Sequence, residues 1–210
     1  MKTIKNIVFD LGGVVFEIDK NRAIEHFNEV GFGDAKSYLD AFEQVGIFGQ
    51  LESGQITAEE FRVELSKLAG KEMTHDECKY GWTGYYKCMH QHILDAITHL
   101  RKQGYRVSLL SNTNPYMMEW ARSKDFDGNG NPVDYYFDKL YLSYECKVMK
   151  PAARIFEIML EGENAKPEET LFIDDSPHNV AAAAALGIHT LQPANGEDWR
   201  EKLKQILQES

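Results

Sequence analysis

The chain has 210 residues, 43% of them hydrophobic, which is apolar material for one good-sized core with at most a small accessory bundle, and not for two full independent domains. A formal net charge of −10, spread along the chain, argues against nucleic acid or an anionic membrane surface as partner, so an anionic ligand must be attracted by local groups. Cys78, Cys88 and Cys146 form no close pair and cannot close a complete set of intrachain disulfides, which points to a reducing cytoplasm.

Ile4 to Phe9 is a short apolar run, rich in β-branched residues, that stops at Asp10-Leu11-Gly12-Gly13 and reads as a buried strand ending in a turn. Asp10 interrupts the apolar stretch from Met1 to Phe16, and no small-residue cleavage pattern follows, so a secretory leader is not expected. No later stretch is apolar for long enough to span a bilayer.

Between about residues 20 and 89 the spacing is helical, with little strand signal. Ala23, Ile24, Phe27 and Val30 share one face, and Tyr38, Leu39, Phe42 and Val45 share another. Thr57 with Glu60, ahead of Phe61, Leu65 and Leu68, makes a capping box, and Thr74 with Glu77, ahead of Tyr80, makes a second. His90 to Gln103 reads as a further helix, with Ile93, Ala96, Ile97 and Leu100 inward and Gly104 as its stop.

Strand Arg106 to Leu110 then restores the α/β alternation. Asn114-Pro115 opens a helix through about Ser123, and Lys139 to Leu142 is a shorter strand. Pro151 opens a helix carrying Ile155, Phe156 and Met159, Thr170 to Ile173 is a buried strand, and Ser176-Pro177 begins a helix that ends at Leu186-Gly187. Ile188 to Leu191 is the last strand, and a helix through Trp199, Leu203, Ile206 and Leu207 closes the chain. Strands separated by helices predict an α/β fold, a doubly wound parallel sheet covered on both faces, with an inserted α-helical cap. The expected division is a core of residues 1–16 and 91–210 and a cap of residues 17–90.

Ligands of such sheets bind beyond the carboxyl ends of the strands. Asp10 follows the first strand, Ser111-Asn112 the second, Lys150-Pro151 lies shortly past the third, and Asp174-Asp175 follows the fourth, so these polar signatures are expected on one rim. Three carboxylates there would repel one another without a cation, and they are the hard oxygen donors that magnesium takes. A cation also makes a carboxylate nucleophile feasible against a phosphate dianion. Lys150 adds positive charge and Ser111 a hydroxyl donor, each worth about 3 kcal/mol of barrier when aimed at a transferring group.

The segments Val8-Phe9-Asp10-Leu11-Gly12-Gly13-Val14, Leu110-Ser111-Asn112-Thr113, Met149-Lys150-Pro151 and Phe172-Ile173-Asp174-Asp175 resemble, in order, the four motifs of the haloacid dehalogenase superfamily, whose core is Rossmann-like. The likeness spans nearly the whole chain and is strongest to small phosphatases with a helical cap, including bacterial sugar-phosphate phosphatases of the α-glucose-1-phosphate type. It implies a magnesium-dependent hydrolase of small phosphate monoesters, acting on a phosphorylated metabolite as a monomer or homodimer. Asp10 would form a phosphoaspartyl intermediate, Ser111 and the neighbouring amide of Asn112 would hold phosphate oxygens, and Lys150 would steady both Asp10 and the phosphate. Asp174 and Asp175 would anchor Mg2+ with Asp10 and the carbonyl of Gly12; the resemblance does not choose between the two acids.

One position departs from that pattern. Most phosphatases of the superfamily carry a second aspartate two residues after the nucleophile, which protonates the leaving oxygen and later activates water. Here the residue is Gly12. General acid–base help is commonly worth about 10² to 10⁴ in rate, so its loss predicts a slow enzyme, an easily expelled leaving group such as a sugar 1-phosphate offers, or a substitute such as Glu17 or a substrate hydroxyl. A dehalogenase of the same fold, a phosphomutase and a non-catalytic phosphate-binding protein are the alternatives.

Other polar groups read more blandly. The loop Asp125 to Gly130 starts like a calcium loop but has Tyr136 at the twelfth position instead of a bidentate glutamate. His90 and His92, two apart on a helix, point to different faces. Residues Gly81 to Tyr86 either line the cleft or pack within the insert.

Overall fold

The computed structural model describes residues 4–40, 42 and 44–209. Met1 to Thr3, part of the stretch weighed as a leader, lie outside the described residues.

Strand β1 (Asn6–Phe9) is buried along its whole length because it is paired on both edges and covered on both faces. Ile7 and Phe9 enter one apolar cluster and Val8 the opposite one, the two-residue period of a strand between two helical layers. The chain continues through β2 (Phe16–Ile18), α1 (Lys20–Glu29), α2 (Gly46–Glu52), α3 (Ala58–Ala69), α4 (His75–Thr83) and β3 (Tyr86–Met89). After them come α5 (Gln91–Lys102), β4 (Arg106–Ser111), α6 (Pro115–Ala121), β5 (Lys139–Leu142), α7 (Ser143–Cys146) and α8 (Ala153–Glu163). Last are β6 (Thr170–Ile173), α9 (Pro177–Ala185), β7 (His189–Leu191) and α10 (Arg200–Glu209).

Among the described residues the main sheet has the order β5-β4-β1-β6-β7, with every pairing parallel. The chain winds outward from β1 to β4 and β5 on one side and returns to β6 and β7 on the other. β1 therefore sits at the switch of winding direction, where an open α/β sheet leaves a crevice at its carboxyl end. Asp10 is the first residue past that end. No helix among the described residues is long and apolar enough to cross a membrane.

Both expected capping boxes form: the Glu60 amide donates to Thr57 Oγ1 at 3.2 Å while Glu60 Oε2 accepts from the Thr57 amide at 2.7 Å, and Thr74 with Glu77 repeats the arrangement. The insert packs on aromatic rings, with Phe48 at the centre of Phe27, Phe61 and Trp82 at centroid distances of 5.1, 5.0 and 5.3 Å. Gly81 lets α4 approach α1, since a Cβ there would collide with the Phe27 ring.

The insert differs from the sequence expectation in three places. Its base is a two-stranded antiparallel ribbon, with Phe16 opposite Met89 and Glu17 opposite Cys88; strands this short are hidden beneath the surrounding helical periodicity. Among the described residues Tyr38, Leu39, Phe42 and Val45 share no helical face: a short 3-10 turn at Ala35–Ser37 precedes them, the Gln44 side chain bonds the Asp40 main chain at both ends, and Phe42 and Val45 stand exposed. Local side-chain to main-chain bonds of this kind compete with helix formation. On α3, Phe61 and Leu65 are buried as expected, but Leu68 is 49% exposed because it lies past the turn that meets the rest of the insert.

Candidate active site

The rim is built around one buried ammonium. Lys150 Nζ lies 3.0 Å from Asp10 Oδ1 and 2.6 Å from Asp174 Oδ2, and it donates to the Leu110 carbonyl at 2.8 Å, with its side chain fully buried. The Asn112 side chain holds Lys150 there: its Oδ1 accepts from the Lys150 amide at 2.8 Å and its Nδ2 donates to the Lys150 carbonyl at 2.9 Å. Asn112 thus spends its side chain on position 150, which leaves its main chain to meet a ligand. The loop after β4 is fixed in turn by Ser143, whose Oγ accepts from the Thr113 amide at 2.9 Å and donates to the Thr113 carbonyl at 3.1 Å.

Asp10 is anchored at the end of β1 by its own amide, which donates to the Ile173 carbonyl at 2.8 Å, and its Oδ1 accepts from the Leu11 amide at 2.7 Å. Asp174 is enclosed. Beyond Lys150, it accepts from the Ser176 amide at 2.8 Å and from Asn179 Nδ2 at 3.1 Å on both oxygens. Asp175 instead lines the cavity. A Cβ at Gly13, whose φ of +78° already favours glycine, would collide with the Asp175 carboxylate, so the turn after β1 and the acid pair after β6 come together only because position 13 has no side chain.

One oxygen from each of Asp10, Asp174 and Asp175 lies within 4.8 Å of the others. Burial, then the charge of Asp10 and Asp174, pushes the Asp175 carboxyl up to about 7. Burial also raises Asp10, to about 6, with Lys150 opposing and Asp174 adding to the rise. Lys150 is pulled down by burial, but Asp10 and Asp174 outweigh that and hold it above its ordinary value. Three acids gathered beside one ammonium crowd negative charge into a buried crevice, and the free oxygens are hard donors. A small divalent cation fits that donor set.

The cavity in front of Asp10 measures about 90 Å³, and Gly12, Ser111, Asn112 and Lys150 are on its core side. All the expected rim residues except Asp174 therefore face one space, and Asp174 stands directly behind it. The opposite wall comes from the insert and includes Gln44, Glu52, Trp82 and Tyr85. Trp82 and Tyr85 both line the cleft and pack, so the two readings of that segment hold together.

Glu52 was not singled out by the sequence. Its one signal is spacing: Phe48, Leu51 and Glu52 fall at i, i+3 and i+4, which puts a carboxyl on the buried side of α2. Glu17 does not face the cavity; it pairs with Lys87 at 2.6 Å, accepts from Cys88 Sγ at 3.3 Å, and these partners hold its carboxyl below the usual range. The Asp125–Gly130 loop is satisfied internally, since Asp127 accepts from the amides of Asn129 and Asn131 and from the Tyr136 hydroxyl at 2.8, 2.9 and 2.6 Å.

Residues 4–187 match the family of haloacid dehalogenase-like hydrolases. The chain is 47% identical over 204 residues to a D-ribitol-5-phosphate phosphatase of Bacteroides thetaiotaomicron, covering 97% of this chain and 98% of that one. Among solved structures, a HAD-like family hydrolase from Porphyromonas gingivalis superposes with a TM-score of 0.94 at 43% identity, covering 99% of this chain and all of the other. A HAD family enzyme of Bacteroides thetaiotaomicron in complex with magnesium and inorganic phosphate superposes with a TM-score of 0.87 at 39% identity, over 95% of this chain and 98% of that one.

Proposed function

The chain belongs to the haloacid dehalogenase-like hydrolases, and from that premise we propose that it is a magnesium-dependent phosphatase of a small polyol or sugar phosphate, with Asp10 as the nucleophile. The observation that carries the reading is the Asp10 carboxylate at the end of the central strand, 3.0 Å from the Lys150 ammonium and open to the cavity. The relative that acts on D-ribitol 5-phosphate supports the substrate class, and the complex with magnesium and phosphate supports the cofactor.

In this reading the phosphate enters with its oxygens toward the Ser111 hydroxyl, the Asn112 main chain and Lys150. Asp10 attacks phosphorus, the alcohol departs, and water then cleaves the phosphoaspartyl group. Asp10, the Gly12 carbonyl and Asp175 would hold the metal directly, while Asp174, saturated by Lys150, Ser176 and Asn179, backs the site and fixes the lysine. Magnesium bound there supplies positive charge against the phosphate dianion. Residues 17–90 act as a cap on the core of residues 1–16 and 91–210, excluding water during transfer. The free state of all three cysteines supports work in the cytoplasm.

The test is phosphate release from ribitol 5-phosphate and a panel of sugar phosphates with magnesium. Asp10→Asn is expected to lower turnover by about 10⁴-fold or more, as loss of a nucleophile does elsewhere. A chelator should abolish activity as well. Chelator-resistant halide release would mark a dehalogenase, and phosphate returned to sugar instead of water would mark a mutase.

A further inference from the structure

We propose that Glu52, on the helical insert, is the general acid and base of this hydrolysis, acting from the cavity wall opposite Asp10 in place of the side chain that Gly12 lacks. The inference rests on the phosphatase reading of Asp10 and names the group that completes it.

Position 12 cannot do this work, and it has no room to regain it. A Cβ built there would stand 2.9 Å from Ile18 Cγ2, so Ile18 occupies the space an acid would need. Glu17, the nearest acid downstream, is tied to Lys87 away from the cavity. Glu52 is the insert carboxyl that lines the same space as Asp10, Ser111 and Lys150, and it is only 6% exposed.

The helix that carries the carboxyl is held in place from two sides. Within the insert, a Cβ at Gly49 would collide with the Gln44 carbonyl, so α2 lies tight against the loop that Gln44, Asp40 and the Tyr85 hydroxyl lock together. Toward the core, the Lys147 ammonium donates to the Gly54 carbonyl at 2.7 Å, just past the end of α2. The polar group that acts on the Glu52 carboxyl is the side-chain amide of Asn114, a completely buried residue whose Oδ1 caps α6 and whose Nδ2 closes no hydrogen bond. With no hydrogen bond closed on either oxygen, a carboxyl that lines the cavity is free to exchange a proton with a ligand.

The surroundings set its protonation. Burial first, and then the negative charge of Asp10, push the Glu52 carboxyl up to about 8, with Asn114 opposing the rise. Tyr85 from the insert and Lys150 and Asp175 from the core complete the ionisable groups of that space. Burial, the largest of these causes, disfavours the Glu52 carboxylate whatever charge Asp10 carries. A neutral carboxyl facing a carboxylate nucleophile is the pairing that acid–base chemistry on one ester requires.

The steps balance. As the Asp10 oxygen bonds to phosphorus and the ester P–O bond breaks, the Glu52 proton passes to the leaving alkoxide, giving alcohol, phosphoaspartate and the Glu52 carboxylate. That carboxylate then takes a proton from water as the water oxygen attacks phosphorus and the bond to Asp10 breaks. Inorganic phosphate leaves, and both acids return to their starting states.

The experiment is Glu52→Gln, which keeps the side chain's size, assayed with ribitol 5-phosphate and with p-nitrophenyl phosphate, whose leaving group needs no proton. With the alkyl ester kcat should fall by about 10² to 10⁴-fold, the usual worth of general acid–base help. With the aryl ester the first turnover should stay close to wild type, releasing a burst of nitrophenolate before a slow steady state in which phosphoenzyme accumulates. The alkaline fall in kcat/KM should disappear. Glu52→Asp, which keeps an acid, should retain the alkaline limb and part of the activity, and it serves if the glutamine variant does not fold. Equal slowing of both first turnovers, or a rise in KM with kcat unchanged, would overturn the proposal and leave Glu52 a packing or binding residue. Failure of the phosphatase reading is distinct: wild type would then turn over neither ester, and Asp10→Asn would change nothing.

Discussion

On the strand side of the cavity Asp10 and Asp174 share the buried Lys150 ammonium at 3.0 and 2.6 Å, whereas on the helical side Glu52 is buried against an amide, with no ion pair to a cation among the described residues. The same residue chemistry therefore meets opposite surroundings. Where a cation and main-chain N–H groups meet the carboxyl, ionisation is supported against the cost of burial; where neither does, burial favours the proton. A phosphatase needs both states within reach of one phosphorus atom. In the proposed reading the core supplies the charged acid and the insert the neutral one, and the cavity between them brings both to one phosphorus atom.

The largest expected effect comes from removing the shared cation. Lys150→Met keeps much of the side chain's volume but leaves Asp10 and Asp174 as buried acids with no counter-charge. Breaking a buried pair in this way typically costs about 3 to 5 kcal/mol, read as a lower urea midpoint in the presence of chelator. Magnesium should restore more stability to the variant than to wild type, because it replaces charge that the variant lacks. A variant as stable as wild type without metal would mean that the strand-side acids do not depend on the lysine.

The complementary change on the helical side should act in the other direction. Glu52 has its ordinary value in the unfolded chain and is raised to about 8 in the fold, so the folded state holds a proton that the unfolded state has lost. Stability on this account is fully present below the usual glutamate range and falls as pH rises toward about 8, after which it levels off. Each unit of separation is worth about 1.4 kcal/mol, so the fall amounts to roughly a few kcal/mol. Glu52→Gln removes it. Near pH 8 the variant should melt above wild type, near pH 4.5 the two should coincide, and Asp10 and Asp175, raised in both proteins, cancel in the comparison. Parallel stability curves across that range would show that Glu52 is ionised in the fold.

The two walls also differ in how much the sequence discloses. Asp10, Lys150, Asp174 and Asp175 are legible because each follows a buried strand, and parallel strands deliver their carboxyl ends to one rim whatever the packing details. The helices of the insert are legible from their capping boxes. Glu52 is not, because Gln50-Leu51-Glu52 looks like an ordinary turn of amphipathic helix, and the cavity that this carboxyl lines is completed by residues from distant parts of the chain. The β2–β3 ribbon is too short for its alternation to register against helical neighbours. The loop around Gln44 is fixed by side-chain bonds to its own main chain, which hydrophobic spacing does not report.

The smallest effect probes the contact between the two walls. Asn114 does two things: its Oδ1 accepts from the amides of Tyr116 and Met117 at 3.1 Å each, capping α6, and its amide lowers the Glu52 carboxyl against the pull of burial. Asn114→Ala loses both, and an N-cap truncation costs about 1 kcal/mol. Asn114→Ser keeps a capping oxygen and loses only the amide N–H. If the amide tunes Glu52, the alkaline limb of kcat/KM should move to higher pH in both variants, while thermal stability drops in alanine alone. A limb that follows stability instead, shifting in alanine and staying put in serine, would mean that Asn114 serves α6 and that burial sets the Glu52 proton unaided.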